Sequence, residues 1–114
     1  MDALQLPLFA KVEALSRLAG NQVLLDTLLI KFQQDFAPLQ AQIPQWVEAE
    51  DWQQVSDKCH LLRGAAGNLG LTRIAAIAGE AVSLIRAGDR LSSEWPEQFA
   101  QAMSATLEEI QAGS

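Results

Sequence analysis

Apolar side chains recur along the chain at steps of three and four residues, the spacing that places them on one face of an α-helix. The pattern predicts five helices, over about 7–19, 22–49, 52–68, 72–87 and 95–111. No segment alternates between apolar and polar residues as a half-buried strand does. Because four of the helices are long, amphipathic and joined by short connections, we predict an all-α fold. It is an antiparallel up-down four-helix bundle, with the first helix as a short N-terminal cap on one end.

The helix predicted over 22–49 contains two prolines, Pro38 and Pro44. Each removes a backbone N–H donor from the helix. The apolar period nevertheless runs through both of them, and we therefore predict one long helix with a kink. The alternative is two helices that are broken near Pro38 or near Pro44.

Composition narrows the choice of partners. The chain has 114 residues, 49% of them hydrophobic, which suits one domain over 1–114 with its own core. Its net charge of −6 and its thinly spread basic residues argue against binding to nucleic acid or to an anionic membrane surface. No apolar run approaches the roughly 20 residues that span a bilayer. A single cysteine fits a reducing compartment, and we expect a cytoplasmic protein whose partners are proteins or small molecules.

His60 is the only histidine in the chain, and it lies in the helix predicted over 52–68. At about 100° per residue, His60 lies about 130° from the centre of that helix's apolar stripe, so its ring faces outward. One histidine and one cysteine also exclude a metal site built from several such ligands in one chain. The residues that share the face of His60 are Gln53, Ser56, Asp57, Arg63, Gly64 and Gly67.

This face combines a nucleophile, a cation and cleared space. A neutral imidazole is available near pH 7, and Arg63 can neutralise a phosphoryl group, which carries about two negative charges. Gly64 has no side chain to block a partner. Gly67 either extends the clearing or lets the helix pack closely on a neighbour. A lone histidine on a helix is most often an ordinary surface residue, but the two glycines and the arginine favour a phosphate acceptor.

The two chain neighbours of His60 have different predicted environments. Cys59 falls within the apolar stripe, about 100° from His60, so we predict core packing and not a Cys–His nucleophile. Leu61 lies on the far side of the helix from the stripe. It is therefore either covered by another helix or part of an exposed docking patch.

The run HLLRGAAGNLG (60–70) resembles the signature of histidine-containing phosphotransfer (HPt) domains. That signature reads His, any residue, Leu, Lys and Gly, then small residues, Asn, an apolar residue and Gly. Similar segments lie at 15–21 and 49–53, so the resemblance covers nearly the whole chain. It implies that His60 accepts a phosphoryl group from an aspartyl-phosphate receiver domain and passes it to another receiver. By position, Arg63 matches the family's Lys and Gly64 its Gly.

The resemblance also implies partners. They are response-regulator receiver domains and a sensor histidine kinase, which can be a hybrid kinase. The chain needs no cofactor of its own, because the receiver supplies Mg²⁺ and the acidic pocket, and it is a phosphocarrier and not an enzyme. We expect a monomer without direct membrane contact, or the cytoplasmic C-terminal part of a membrane-bound hybrid kinase. The expected receiver-docking face is formed by Gln53, Ser56, Asp57 and Gly67.

Some positions depart from the family pattern. Arg63 keeps the charge of Lys but not its geometry, and Gly67 stands where Ala is usual. Ala81 and Val82 occupy the place of a Leu-Glu pair, and Glu80 lies two residues early, which leaves the role of a carboxylate there open. The alternative function is a non-catalytic helical domain that binds receivers or kinases without phosphotransfer. An enzyme that uses His60 as acid or base is disfavoured, because no carboxylate, metal or second histidine is assembled with it.

Overall fold

Helices make up the regular structure of the chain. The computed structural model describes residues 3–113, and these contain helices and connections but no strand. A short 3-10 turn at Ala3–Gln5 precedes six α-helices. They are α1 (Lys11–Arg17), α2 (Gln22–Phe36), α3 (Leu39–Glu48), α4 (Trp52–Asn68), α5 (Thr72–Arg86) and α6 (Trp95–Ala112). The predicted all-α class is confirmed.

The helices pack as a bundle. α4 lies against both α3 and α5, and α6 closes the ring by packing on α5 and α3. α2 extends the side formed by α3 and contacts α4 and α6. The connections from α3 to α4 and from α4 to α5 are only three residues long, so successive helices reverse direction. The predicted four-helix bundle is therefore confirmed, with α2 and α3 together forming one of its four sides.

That side is not one continuous helix. The chain predicted as a single helix over 22–49 forms α2 and α3, which are separated by Ala37 and Pro38. Both residues have right-handed helical dihedral angles, so the chain is interrupted without turning back. The carbonyl of Pro38 accepts the amide of Gln42 at 3.2 Å and begins the new helix. The prediction of one helix is wrong, and its alternative of a break near Pro38 is correct, whereas Pro44 lies inside α3.

The first helix is a cap, and at Lys11–Arg17 it is shorter than predicted. The amide of Ala10, just before it, donates to the carbonyl of Gly70 at 2.7 Å. At its other end, Nη1 of Arg17 donates to the carbonyl of Gly67 at 2.7 Å. Both acceptors lie at the C-terminal end of α4. The cap is therefore hydrogen-bonded to the end of the helix that carries His60.

The core joins α6 to α5 and buries one face of α4. Trp95 and Phe99 of α6 stack with ring centroids 5.2 Å apart, and the indole Nε1 of Trp95 donates to the carbonyl of Ile77 at 3.2 Å. The helical stripe predicted for α4 is largely buried, as helical spacing requires. Its buried apolar residues are Val55, Cys59, Leu62 and Ala66.

None of the helices within residues 3–113 has the length and apolar character needed to cross a bilayer.

Candidate functional site

Both ends of α4 are fixed by local hydrogen bonds. The side chain of Asp51 caps the N-terminus by accepting the amide of Gln54 at 3.4 Å. At the C-terminus the amide of Leu71 donates to the carbonyl of Ala66 at 2.9 Å, and Gly70 takes the left-handed conformation with φ +74°. This is the geometry expected of a glycine-terminated helix. The histidine helix therefore begins and ends where its sequence predicts.

His60 is exposed on α4, and Arg63 is half-buried beside it. Nη2 of Arg63 lies 3.4 Å from Nδ1 of His60. A guanidinium group can only donate, so this contact requires a lone pair on Nδ1. The neutral ring that accepts it carries its proton on Nε2. The outward placement of the histidine, and the predicted closeness of Arg63 to it, are both present in the structure.

The guanidinium of Arg63 forms no ion pair within residues 3–113. Glu80, the carboxylate that the sequence places on the neighbouring helix, is exposed and makes no ion pair with Arg63. An unpaired cation beside a nucleophilic ring suits the binding of an anion there.

Two glycines leave the surface around His60 open. A β-carbon built on Gly64 or on Gly67 would meet no atom within 4 Å. Gly64 follows His60 by one turn, so a partner can approach the ring from that side. The alternative that Gly67 makes room for a neighbouring helix is wrong, because nothing packs within 4 Å of the place where its β-carbon would lie. Its carbonyl instead accepts the hydrogen bond from Arg17.

The remaining residues of the expected docking face differ in exposure. Gln53 and Asp57 are exposed, and Nε2 of Gln53 donates to Oδ1 of Asp57 at 2.9 Å. Ser56 is only 8% exposed, so its predicted place on the surface is wrong. Helix α4 packs on both α3 and α5, and a helical wheel does not show how much of a helix its neighbours bury.

The two chain neighbours of His60 lie in opposite environments. Leu61 is 56% exposed, so the alternative that another helix covers it is wrong. Cys59 is fully buried, and this burial raises the pKa of its thiol from 9.0 to about 12. A thiol with that pKa is protonated at neutral pH and is no nucleophile. Cys59 therefore belongs to the core, as predicted.

One residue of the site was missed by the sequence reasoning. Gly79 on α5 lies under the side chain of Arg63, and a β-carbon there would lie 2.9 Å from Cδ of Arg63. The available signal was a glycine in the interior of a predicted helix, which costs on the order of 1 kcal/mol relative to alanine.

The site contains no preformed metal centre within residues 3–113. No three side chains of His, Cys, Asp or Glu in this part of the chain lie close enough together to hold a metal ion. The arrangement instead presents one nucleophilic ring, one unpaired cation and an open surface. Such an arrangement can accept a group from a partner.

Comparison with known families agrees with this geometry. The profile of the family described as "Hpt domain" matches residues 27–113. The chain belongs to the Hpt domain family. The match includes α3 to α5 and thus every residue of the site, His60 and Arg63 among them. Hpt domains are phosphocarriers of two-component phosphorelays, so the role of this Hpt domain lies in phosphorelay signalling.

Two relatives share sequence with this Hpt domain. Both are named "Sensory/regulatory protein RpfC" and come from Xanthomonas campestris pv. campestris, one from strain ATCC 33913 and one from strain 8004. Each is 39% identical over 64 residues, which is 55% of this chain and 8% of the relative. The chain thus matches only a small part of these relatives. No solved structure matches it significantly.

Proposed function

We propose that this Hpt domain accepts a phosphoryl group on His60 from the aspartyl phosphate of a receiver domain and passes it to another receiver. The observation that carries the proposal is the exposed ring of His60 with the guanidinium of Arg63 at 3.4 Å, a cation that no carboxylate of residues 3–113 pairs with. The family match, and the relatives named as sensory and regulatory proteins, support a place in signalling.

The transfer is a displacement at phosphorus. A ring nitrogen of His60 attacks with its lone pair, the new N–P bond forms, and the P–O bond to the receiver's aspartate breaks. The bonding pair leaves on the aspartyl oxygen, which becomes a carboxylate. The imidazole proton stays on the other ring nitrogen or leaves to water. The reverse displacement, by the aspartate of a second receiver, returns His60 to its starting state.

Arg63 must change its contact during this step. Attack through Nδ1 needs the lone pair that the guanidinium engages in the resting structure. Attack through Nε2 needs the ring proton on Nδ1, and a protonated Nδ1 cannot accept from Arg63. Either route releases Arg63 from the ring and leaves it free to contact the phosphoryl oxygens. Its charge then offsets the charge that accumulates on the transferred group.

The receiver supplies what the Hpt surface lacks. We propose that it brings the Mg²⁺ and the acidic pocket that hold the phosphoryl group in line for attack. The open surface at Gly64 admits that pocket to His60, and exposed Leu61 gives the partner an apolar contact beside the ring. Gln53, Asp57 and Gly67 are exposed on the same helix and complete the proposed docking face.

The test is transfer of label from a phosphorylated receiver. A panel of receiver domains is phosphorylated with radioactive acetyl phosphate, mixed with the Hpt domain, and separated by gel electrophoresis. We expect acid-labile, alkali-stable label on the wild type and none on His60→Gln. Glu108→Gln, an exposed change on α6, is the control for surface substitution and should label normally.

Two outcomes would count against the proposal. Binding of receivers without any transfer to the wild type would favour a domain that only binds its partners. Equal labelling of His60→Gln would show that another side chain is the acceptor. The circular dichroism spectrum of His60→Gln is compared with that of the wild type. Matching spectra show that the variant is folded, so that its loss of label is due to the missing nucleophile.

A further inference from the structure

Gly79 stands against the stem of Arg63, on a different helix. A β-carbon at residue 79 would lie 2.9 Å from Cδ of Arg63, 3.7 Å from its Cγ and 3.9 Å from its Nη1. Carbon atoms in ordinary contact lie about 3.5–4.0 Å apart, so an alanine at 79 would displace the arginine. Because Gly79 has no side chain, the aliphatic part of the Arg63 side chain can pack directly against α5 at this position.

The backbone of α5 gives no other reason for a glycine. Gly79 lies in the interior of the helix, and its φ is not positive, unlike those of Gly20, Gly70 and Gly88. A helix-interior glycine costs about 1 kcal/mol relative to alanine. Of the glycines within the histidine helix and α5, Gly64 and Gly67 face open space, and Gly79 alone faces another side chain.

We infer that Gly79 is a positioning residue for phosphotransfer, because it seats the stem of Arg63 so that the guanidinium lies within reach of His60. The inference rests on the proposed function and adds a residue to it. Cδ is the last sp³ carbon before the guanidinium, so its position sets the arc over which the charged group can move. With the aliphatic carbons of Arg63 fixed in place, the guanidinium can rotate from the ring nitrogen to the phosphoryl oxygens while the rest of the side chain keeps its rotamer.

The test compares stability with transfer in Gly79→Ala. The substitution should raise the thermal midpoint of the domain, or leave it unchanged, because alanine favours the helix. The rate of transfer from a phosphorylated receiver should nevertheless fall about three- to tenfold, as expected when a charge-assisted hydrogen bond is partly lost. Ser83→Ala, an exposed change one turn further along α5, is the matched control and should leave the rate unchanged.

A double-mutant cycle with Arg63→Ala separates positioning from any other effect. If Gly79 acts through Arg63, then Gly79→Ala causes no further loss of rate once Arg63 is alanine. A second measurement uses the ¹⁵N chemical shifts of the His60 ring, which report whether Nδ1 accepts a hydrogen bond. These shifts should change in Gly79→Ala and stay unchanged in Ser83→Ala.

The outcomes distinguish this inference from the proposed function. A wild-type rate in Gly79→Ala, or an equal loss in the Arg63→Ala background, overturns the role of Gly79 and leaves the acceptor role of His60 intact. If the wild type takes no label at all, the proposed function fails, and the ring shifts alone then decide whether Gly79 positions Arg63. Unchanged shifts in Gly79→Ala would refute that positioning.

Discussion

Ala10 and Gly70 join the N-terminal cap to the end of the histidine helix through their backbones. The amide of Ala10 donates to the carbonyl of Gly70 at 2.7 Å, and a β-carbon on Gly70 would lie 2.7 Å from the carbonyl oxygen of Ala10. The contact leaves no room for a side chain. Two independent features therefore require glycine at position 70: its φ of +74° and the backbone of Ala10, which lies where a side chain would be.

We expect Gly70→Ala to lower the free energy of unfolding by about 2–4 kcal/mol. The left-handed conformation costs an alanine roughly 1–2 kcal/mol, and the clash with the backbone of Ala10 adds to it. Urea unfolding followed by circular dichroism measures the loss. Gly88→Ala is the matched control, since Gly88 has φ +76° with no atom near its β-position, and it should lose only about 1 kcal/mol. Equal losses in the two variants would show that the contact with Ala10 contributes nothing.

Arg63→Ala should slow transfer from a phosphorylated receiver about 10- to 100-fold, because a charge-assisted hydrogen bond contributes about 1.5–3 kcal/mol. Arg63→Lys keeps the charge but not the geometry of the guanidinium, and it should slow transfer less than Arg63→Ala does. Quenched time courses of label on His60 measure both rates. Arg86→Ala, an exposed change at the end of α5, is the control. An unchanged rate in Arg63→Ala would mean that the cation does not serve the phosphoryl group.

Stability at high pH should depend on Cys59. Burial raises the pKa of its thiol from 9.0 to about 12, so above pH 9.0 the unfolded chain loses a proton that the folded chain still holds. Unfolding therefore releases a proton in this range and becomes easier as the pH rises. The contribution is complete below pH 9.0 and is lost as the pH approaches about 12, with a slope of up to about 1.4 kcal/mol per pH unit.

Cys59→Ala removes the titrating thiol. Comparing it with the wild type separates the effect of the thiol from the titration of the lysines, which also lose protons in this pH range. We expect the variant to be less stable than the wild type at pH 8, since it leaves a cavity in the core. The difference between the two proteins should shrink as the pH is raised from 9 to 11 in urea titrations. A constant difference over that range would contradict the raised pKa.

Thr106→Val should raise the free energy of unfolding by about 1–2 kcal/mol. The hydroxyl of Thr106 is fully buried in α6 and makes no hydrogen bond within residues 3–113. Valine has the same shape without the polar group. Thr27→Val is the control, because its exposed hydroxyl donates to the carbonyl of Val23 at 2.9 Å, and its stability should change by less than about 0.5 kcal/mol. A loss of stability in Thr106→Val would indicate that the hydroxyl has a partner.

The sequence alone determined the all-α class, the bounds of the histidine helix and the direction of the histidine. Helical spacing follows from local geometry, so it placed Cys59 in the core and His60 on the surface without knowledge of any neighbour. The same local chemistry marked the end of α4 at Gly70. The spacing also brought Arg63 near the ring, since residues three apart share a face of one helix.

Tertiary structure decided which residues are buried where helices pack together and which residues of different helices come into contact. Ser56 is buried although the helical wheel places it on the face of His60, because a wheel contains no information about the helices that pack around it. Pro38 breaks its helix whereas Pro44 is tolerated in α3, although the apolar pattern runs through both. Gly79 reaches the site only because α5 packs on α4 and brings its backbone against Arg63. Contacts between residues distant in the chain depend on how the helices pack, which a periodic pattern does not specify.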